Sequence, residues 1–95
     1  MDNDINIEIK MDDETADGHF SNFTNISHSP EEFTLDFVYV NPTPPPGFGK
    51  LKSRIILTPG HMKRLIAAMQ ENLDKYEERF GSIDNPIKKP GESLN

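Results

Sequence analysis

The chain has 95 residues, 34% of them hydrophobic, no cysteine and a net charge of −6, which limits it to one small domain. A domain of this size buries only about 60–65% of its unfolded surface, and without cysteine no disulfide or thiolate metal site can make up the shortfall. These numbers exclude a disulfide scaffold and a cysteine zinc module, and they leave self-association as the common remedy.

The first ten residues, MDNDINIEIK, show no basic stretch followed by an apolar one, so no secretory signal is expected. No apolar run approaches the roughly 20 residues of a bilayer span. The expected location is cytoplasmic, with no membrane partner, and the sequons at Asn22-Phe23-Thr24 and Asn25-Ile26-Ser27 then have no role. Charge is uneven. Residues 1–17 hold seven acids against Lys10, a balance of −6, and the remaining nine acids and nine bases cancel. Within 50–64 stand Lys50, Lys52, Arg54, Lys63 and Arg64 with no acid. An acidic arm that docks on this basic stripe is one reading of the pattern, and an ordinary solvated surface is the plainer one.

Residues 1–4 are expected to be disordered. Ile5, Ile7, Ile9 and Met11 then alternate with polar residues, the period of a half-buried strand. Asp12 to Gly18 reads as an acidic turn-rich connector. Phe20 to His28 is a second strand with Phe20, Thr24 and Ile26 on one face and Phe23 on the other. Ser29-Pro30-Glu31-Glu32 is a tight connection, with Pro30 suited to the first central position of a type I turn.

Phe33 to Val40 is the third strand. Phe33, Leu35, Phe37 and Tyr39 lie on one face, Thr34, Asp36, Val38 and Val40 on the other, and both end apolar, as a central strand requires. Asn41 to Gly49, NPTPPPGFG, is expected to stay out of any ladder because four of its nine residues lack an N–H. The fourth strand, Lys50 to Leu57, sets Leu51, Ser53, Ile55 and Leu57 inward and Lys50, Lys52, Arg54 and Ile56 outward.

Thr58 suits an N-cap, Pro59 the first helical position and Gly81 the C′ position. The 22 residues between Thr58 and Gly81 predict one helix of about 33 Å. Met62, Ile66, Met69, Leu73, Tyr76 and Phe80 follow 4-3-4-3-4 spacing, a heptad seam, and Leu65 widens it near the start. A strand of eight residues spans only about 27 Å, so Tyr76 and Phe80 are expected to overhang the sheet and meet another subunit. Residues 82–95, with Pro86 and Pro90, are expected to be a disordered tail. The fold class is therefore α+β, a single domain over residues 5–81, with a four-stranded antiparallel sheet followed by one long C-terminal helix. Met69, Leu73, Tyr76, Phe80, Val38 and Val40 are the expected oligomer interface, with Phe23 and Ile56 adding apolar surface beside the two valines.

Chemistry-bearing residues are sparse. His19, His28 and His61 lie on three different elements without the short paired spacing of a metal site. Ser27 and Ser29 flank His28, but sequence neighbours do not make a triad. Glu31 and Glu32 share a turn with no sign of a cleft. No phosphate-loop motif is present. No catalytic residue, metal or cofactor is assigned, and no enzyme activity is expected. The first turns of the helix carry His61, Lys63 and Arg64 where the dipole already favours anions, and Gly60 leaves backbone N–H groups open. Together with Lys50, Lys52 and Arg54 they form a candidate anion site, with nucleic acid a disfavoured occupant. The proline loop, Pro42 and Pro44 to Pro46, resembles a polyproline II ligand, although such a loop more often stiffens a connection.

Several strings point further. Phe20-Ser21-Asn22, Ser27-His28-Ser29-Pro30-Glu31-Glu32-Phe33, Leu35-Asp36-Phe37, Ser53 to Pro59 (SRIILTP), Lys63-Arg64-Leu65, Gln70-Glu71-Asn72 and Tyr76-Glu77 resemble, in that order, the domain-of-unknown-function 3467 family of prokaryotes. The resemblance covers about residues 5–81, and the SHSPEEF and SRIILTP strings are its specific parts. It implies a stand-alone cytoplasmic protein and carries no activity, cofactor or catalytic residue. The NPTPPPGFG connection and Gly60 depart from it. In element order alone the chain is also similar to the SecB export chaperones, whose acidic subunits place a long oligomerising helix after four antiparallel strands. That implies adaptable hydrophobic binding of extended polypeptide as an alternative to a plain oligomeric adaptor.

Overall fold

A computed structural model describes residues 6–84. The chain divides into two compact units between Leu57 and Thr58, and each is taken by itself. In the first, a short helix α1 (Asp13–Asp17) precedes three strands, β1 (Phe23–His28), β2 (Phe33–Asn41) and β3 (Phe48–Leu57), paired antiparallel in the order β1-β2-β3. Among its described residues the second unit holds one helix, α2 (Pro59–Phe80).

The sheet has three strands where the sequence pattern predicts four. Residues 6–12 lie outside it, and Ile7, Ile9 and Met11 are 67–76% exposed. Alternation marks a segment able to line a sheet, but a strand also needs a neighbour's ladder and a covered face, and this segment has neither. Ile5, residues 1–4 and 85–95 lie outside the described residues, and so does most of the expected tail.

The acidic connector is partly helical. Asp12 is an N-cap with extended backbone, and its Oδ2 accepts from the Thr15 N–H at 3.4 Å. Asp13 and Glu14 follow in the first turn, where the helix dipole favours acids. Gly18 ends the turn at φ 81°, a left-handed backbone that a side chain would strain. A single turn without an apolar stripe leaves no periodic signal in the sequence, so the segment reads there as a connector only.

β1 and β2 join through Ser29, whose N–H donates to the Glu32 carbonyl at 2.9 Å and whose hydroxyl accepts from the Glu31 N–H at 3.2 Å. The ladder is extended past Phe23 by a side chain. The Asn22 carboxamide donates to the Val40 carbonyl at 3.1 Å and accepts from the Val40 N–H at 2.9 Å, so it stands in for a peptide unit. Asn22→Asp loses the donor and sets a carboxylate against a carbonyl oxygen. It is expected to cost about 1–2 kcal/mol, read as a lower urea midpoint with unchanged slope.

Asn41, Phe48 and Gly49 belong to the strands, so the proline connection that stays out of the ladder is shorter than its sequence suggests. The three carry N–H groups, and only the prolines lack them. Gly47 has a steric reason: a Cβ there would lie 2.5 Å from the Asn41 carbonyl oxygen and 2.6 Å from Pro42 Cα.

Register assigns the faces. Phe33, Leu35 and Phe37 on β2 oppose Leu57, Ile55 and Ser53 on β3, with Thr24, Ile26 and His28 of β1 completing this face. Leu35 and Leu57 are the buried hydrophobic residues, at 4% and 7% exposure. Phe20, Tyr39 and Phe48 stack edge-to-face in series, each step 6.1 Å between centroids. Between Phe37 and Val38 the partner shifts by one, from Ser53 to Leu51, which leaves Lys52 as the extra residue of a bulge. Strict alternation placed Leu51 inward and Lys50 outward. The bulge reverses both: Leu51 faces Val38 on the opposite side, and Lys50 pairs with Tyr39.

α2 forms where its caps predict. The Thr58 hydroxyl oxygen accepts from the His61 N–H at 3.2 Å, Pro59 opens the helix, and the Gly81 N–H closes it on the Glu77 carbonyl at 2.8 Å with φ 99°. Polar residues link along the helix, Gln70 to Asp74 at 2.8 Å and Glu71 to Lys75 at 3.5 Å. No described helix is long and apolar enough to cross a membrane.

Candidate self-association surfaces

Two apolar surfaces stand open, one in each unit. On α2 the seam residues Ile66, Met69, Leu73, Tyr76 and Phe80 are 41–65% exposed, while Met62 and Leu65 are half-buried. Successive members sit three or four residues apart, so they form one stripe along the axis. Its C-terminal end is aromatic, with the Tyr76 and Phe80 rings 5.0 Å apart and the Arg79 guanidinium 5.2 Å from the Phe80 centroid. Beside it, Glu77 Oε2 accepts from the Ile83 N–H at 2.9 Å, which holds the carboxylate at the border of the stripe. Four expected interface residues, Met69, Leu73, Tyr76 and Phe80, lie on this stripe.

The other two, Val38 and Val40, lie on the sheet face opposite Leu35. Phe23, Val38 and Leu51 form a row across the three strands, with Val40 two residues further along β2. Val40 pairs with Gly49, where an added Cβ would sit 3.6–3.9 Å from the two valine methyls. Leu51 belongs to this patch only because of the bulge at Lys52, and strict alternation hides it.

The next row of that face is polar. Asp36 and Arg54 are direct cross-strand partners joined by a bidentate bridge, Nε to Oδ1 at 2.7 Å and an Nη2 bond to Oδ2 at 3.0 Å. The hydrogen bonds from Arg54 hold the Asp36 carboxyl below its ordinary value near 3.8, against an opposing desolvation and with help from the guanidinium charge. A depressed folded pKa means the pair's contribution is complete above the unfolded value and fades as pH falls through the folded one. Asp36→Asn is therefore expected to be less stable than the parent at pH 7. The gap should narrow as pH falls below the ordinary carboxylate value and close once it has passed through the lowered folded one, measured by denaturant unfolding at each pH.

Within the first unit, the candidate anion residues Lys50, Lys52 and Arg54 do not form one stripe. Lys50 and Arg54 fall on opposite faces of β3, Lys52 is the bulge residue, and Arg54 is committed to Asp36. Gly60, His61, Lys63 and Arg64 belong to the second unit. There the His61 and Met62 N–H groups already donate to the Thr58 hydroxyl and carbonyl, and the Arg64 Nη1 lies 3.5 Å from where a Gly60 Cβ would be. Among the described residues of the first unit, no arm carboxylate pairs with Lys50, Lys52 or Arg54.

His28 packs beside Phe33 at 5.5 Å. Among the described residues no three His, Asp or Glu side chains group as a metal site would. Asn22 and Gly47 are the structural positions that pattern reading missed. Asn22 sits in the Phe-Ser-Asn string of the resemblance, the one signal that marked it.

A family model described as "Protein of unknown function (DUF3467)" matches residues 1–85. No curated protein and no solved structure matches the chain. With most of its length matched, the chain belongs to this family.

Proposed function

We propose that this DUF3467 protein is a small non-enzymatic binding or adaptor protein that works as a homo-oligomer. The observation that carries the reading is the α2 stripe: five large apolar side chains in line, each at least 41% exposed in the single chain. Isolated exposed hydrophobics are ordinary, but a contiguous row of them marks an interaction surface. The small buried core supports the same reading, because Leu35 and Leu57 are its only buried hydrophobics among the described residues, and association is how a small chain without disulfides covers apolar area. The Phe23, Val38, Val40 and Leu51 patch offers a second surface, suited to a further copy or a protein partner.

The test is sedimentation equilibrium of the full chain at micromolar concentration, in which the reading expects an oligomer and a monomer throughout rejects it. The alternative of a SecB-like polypeptide binder drew on four strands preceding the helix, and a three-stranded sheet removes that support. An anion or nucleic-acid role would use Lys50, Lys52, Arg54, Lys63 and Arg64, and the bidentate bond of Arg54 to Asp36 weakens the support for it.

A further inference from the structure

The residues bordering the α2 stripe discriminate among the ways two copies could meet. In heptad terms Ile66, Leu73 and Phe80 take the a positions and Met62, Met69 and Tyr76 the d positions. The flanking e positions are Lys63, Gln70 and Glu77, and the g positions are Leu65, Asn72 and Arg79. In a parallel pair each g residue meets the next e residue of the other helix, Leu65 with Gln70 and Asn72 with Glu77, so no opposite charges meet. In an antiparallel pair e meets e and g meets g. Setting Met69 against Leu73 of the second copy then brings Met62 to Phe80 and Ile66 to Tyr76. All six seam residues are paired. The same register brings Lys63 of each copy to Glu77 of the other, and Gln70 and Asn72 each to their own counterparts.

We propose that α2 docks antiparallel on α2 of a second copy of this chain in that register, with two symmetric Lys63–Glu77 ion pairs fixing the orientation. This rests on the self-association reading and adds its surface, direction and register. Two features of the single chain favour it. The Ile83 N–H holds Glu77 at the edge of the stripe, where the ammonium of Lys63 from the second copy arrives. The self-complementary pattern also suits a two-fold axis, which requires residue i to meet j and j to meet i.

The chain has no cysteine, so Gln70→Cys and Lys63→Cys each give a single nitroxide site for pulsed electron paramagnetic resonance on the full chain. Antiparallel pairing brings the two labels at 70 together and sets the two at 63 about 21 Å apart along the axis. Parallel pairing gives the same short distance at both sites, and association through another surface gives neither pattern. Either result in a sedimenting dimer overturns the proposal and leaves self-association standing, whereas a monomer rejects both. Charge reversal is the second arm. Lys63→Glu is expected to weaken dimerisation about ten-fold through two repulsive contacts, and adding Glu77→Lys should restore it to within about two-fold of the parent. Failure of that rescue, with both variants folded, contradicts the register.

Discussion

Met69→Lys is expected to convert the associated protein into a monomer, with the dissociation constant rising at least about 100-fold. Met69 sits mid-helix on the stripe, 53% exposed in the single chain, and in the proposed register it lies beside the two-fold centre, against Leu73 of the second copy. A lysine there must lose its hydration in an apolar seam without a partner charge, and the two-fold repeats that cost. Lysine and methionine have similar helix propensity, so α2 itself should keep its far-ultraviolet circular dichroism. Phe80→Lys, at the end of the seam where the ammonium can reach water, should weaken association less. An unchanged association state in both variants would show that the helix does not mediate assembly.

Leu35→Ala should produce the largest loss of stability, about 2–5 kcal/mol. Leu35 is the most buried hydrophobic among the described residues, at 4% exposure, on the central strand between Ile26 and Ile55. Removing its methyl groups leaves a void that neighbours on two flanking strands cannot fill without breaking register. For a chain of this length total stability is about 5–14 kcal/mol, so the variant forfeits a large share of it. Denaturant unfolding reads the loss directly. Ile7→Ala is the matching control: the alternation pattern counts Ile7 as a strand residue, whereas its exposed position outside the sheet predicts a change within about 0.5 kcal/mol.

The helix was legible because three independent signals agreed. Thr58 and Pro59 open it, Gly81 closes it, and the seam between them keeps one period for its whole length. The two β-hairpin connections were legible for similar reasons, with Ser29-Pro30 and the proline run interrupting apolar alternation. The segment around Ile7 and Ile9 shows the limit of alternation, which reports what a strand could bury but not whether a partner strand is there. Lys52 shows another. A bulge changes which side every residue beyond it faces, and nothing in the residue types of β3 announces it, although the Asp36–Arg54 pair and the Asn41–Phe48 pair cannot both form without one extra residue between them. Arg54 illustrates why charge counts mislead, since a cation tallied as available for a ligand is held by its cross-strand carboxylate. The apolar stripe of α2 was readable from spacing alone. The apolar patch of the sheet was readable only in part, because Leu51 joins Val38 through that bulge.

Self-association through α2 is the centre of this account, and sedimentation equilibrium of the full-length chain at micromolar concentration tests it most directly. A dimer of twice the 10.8 kDa chain mass, reduced to monomer by Met69→Lys, is the predicted result. A 10.8 kDa species across the whole concentration range would contradict it.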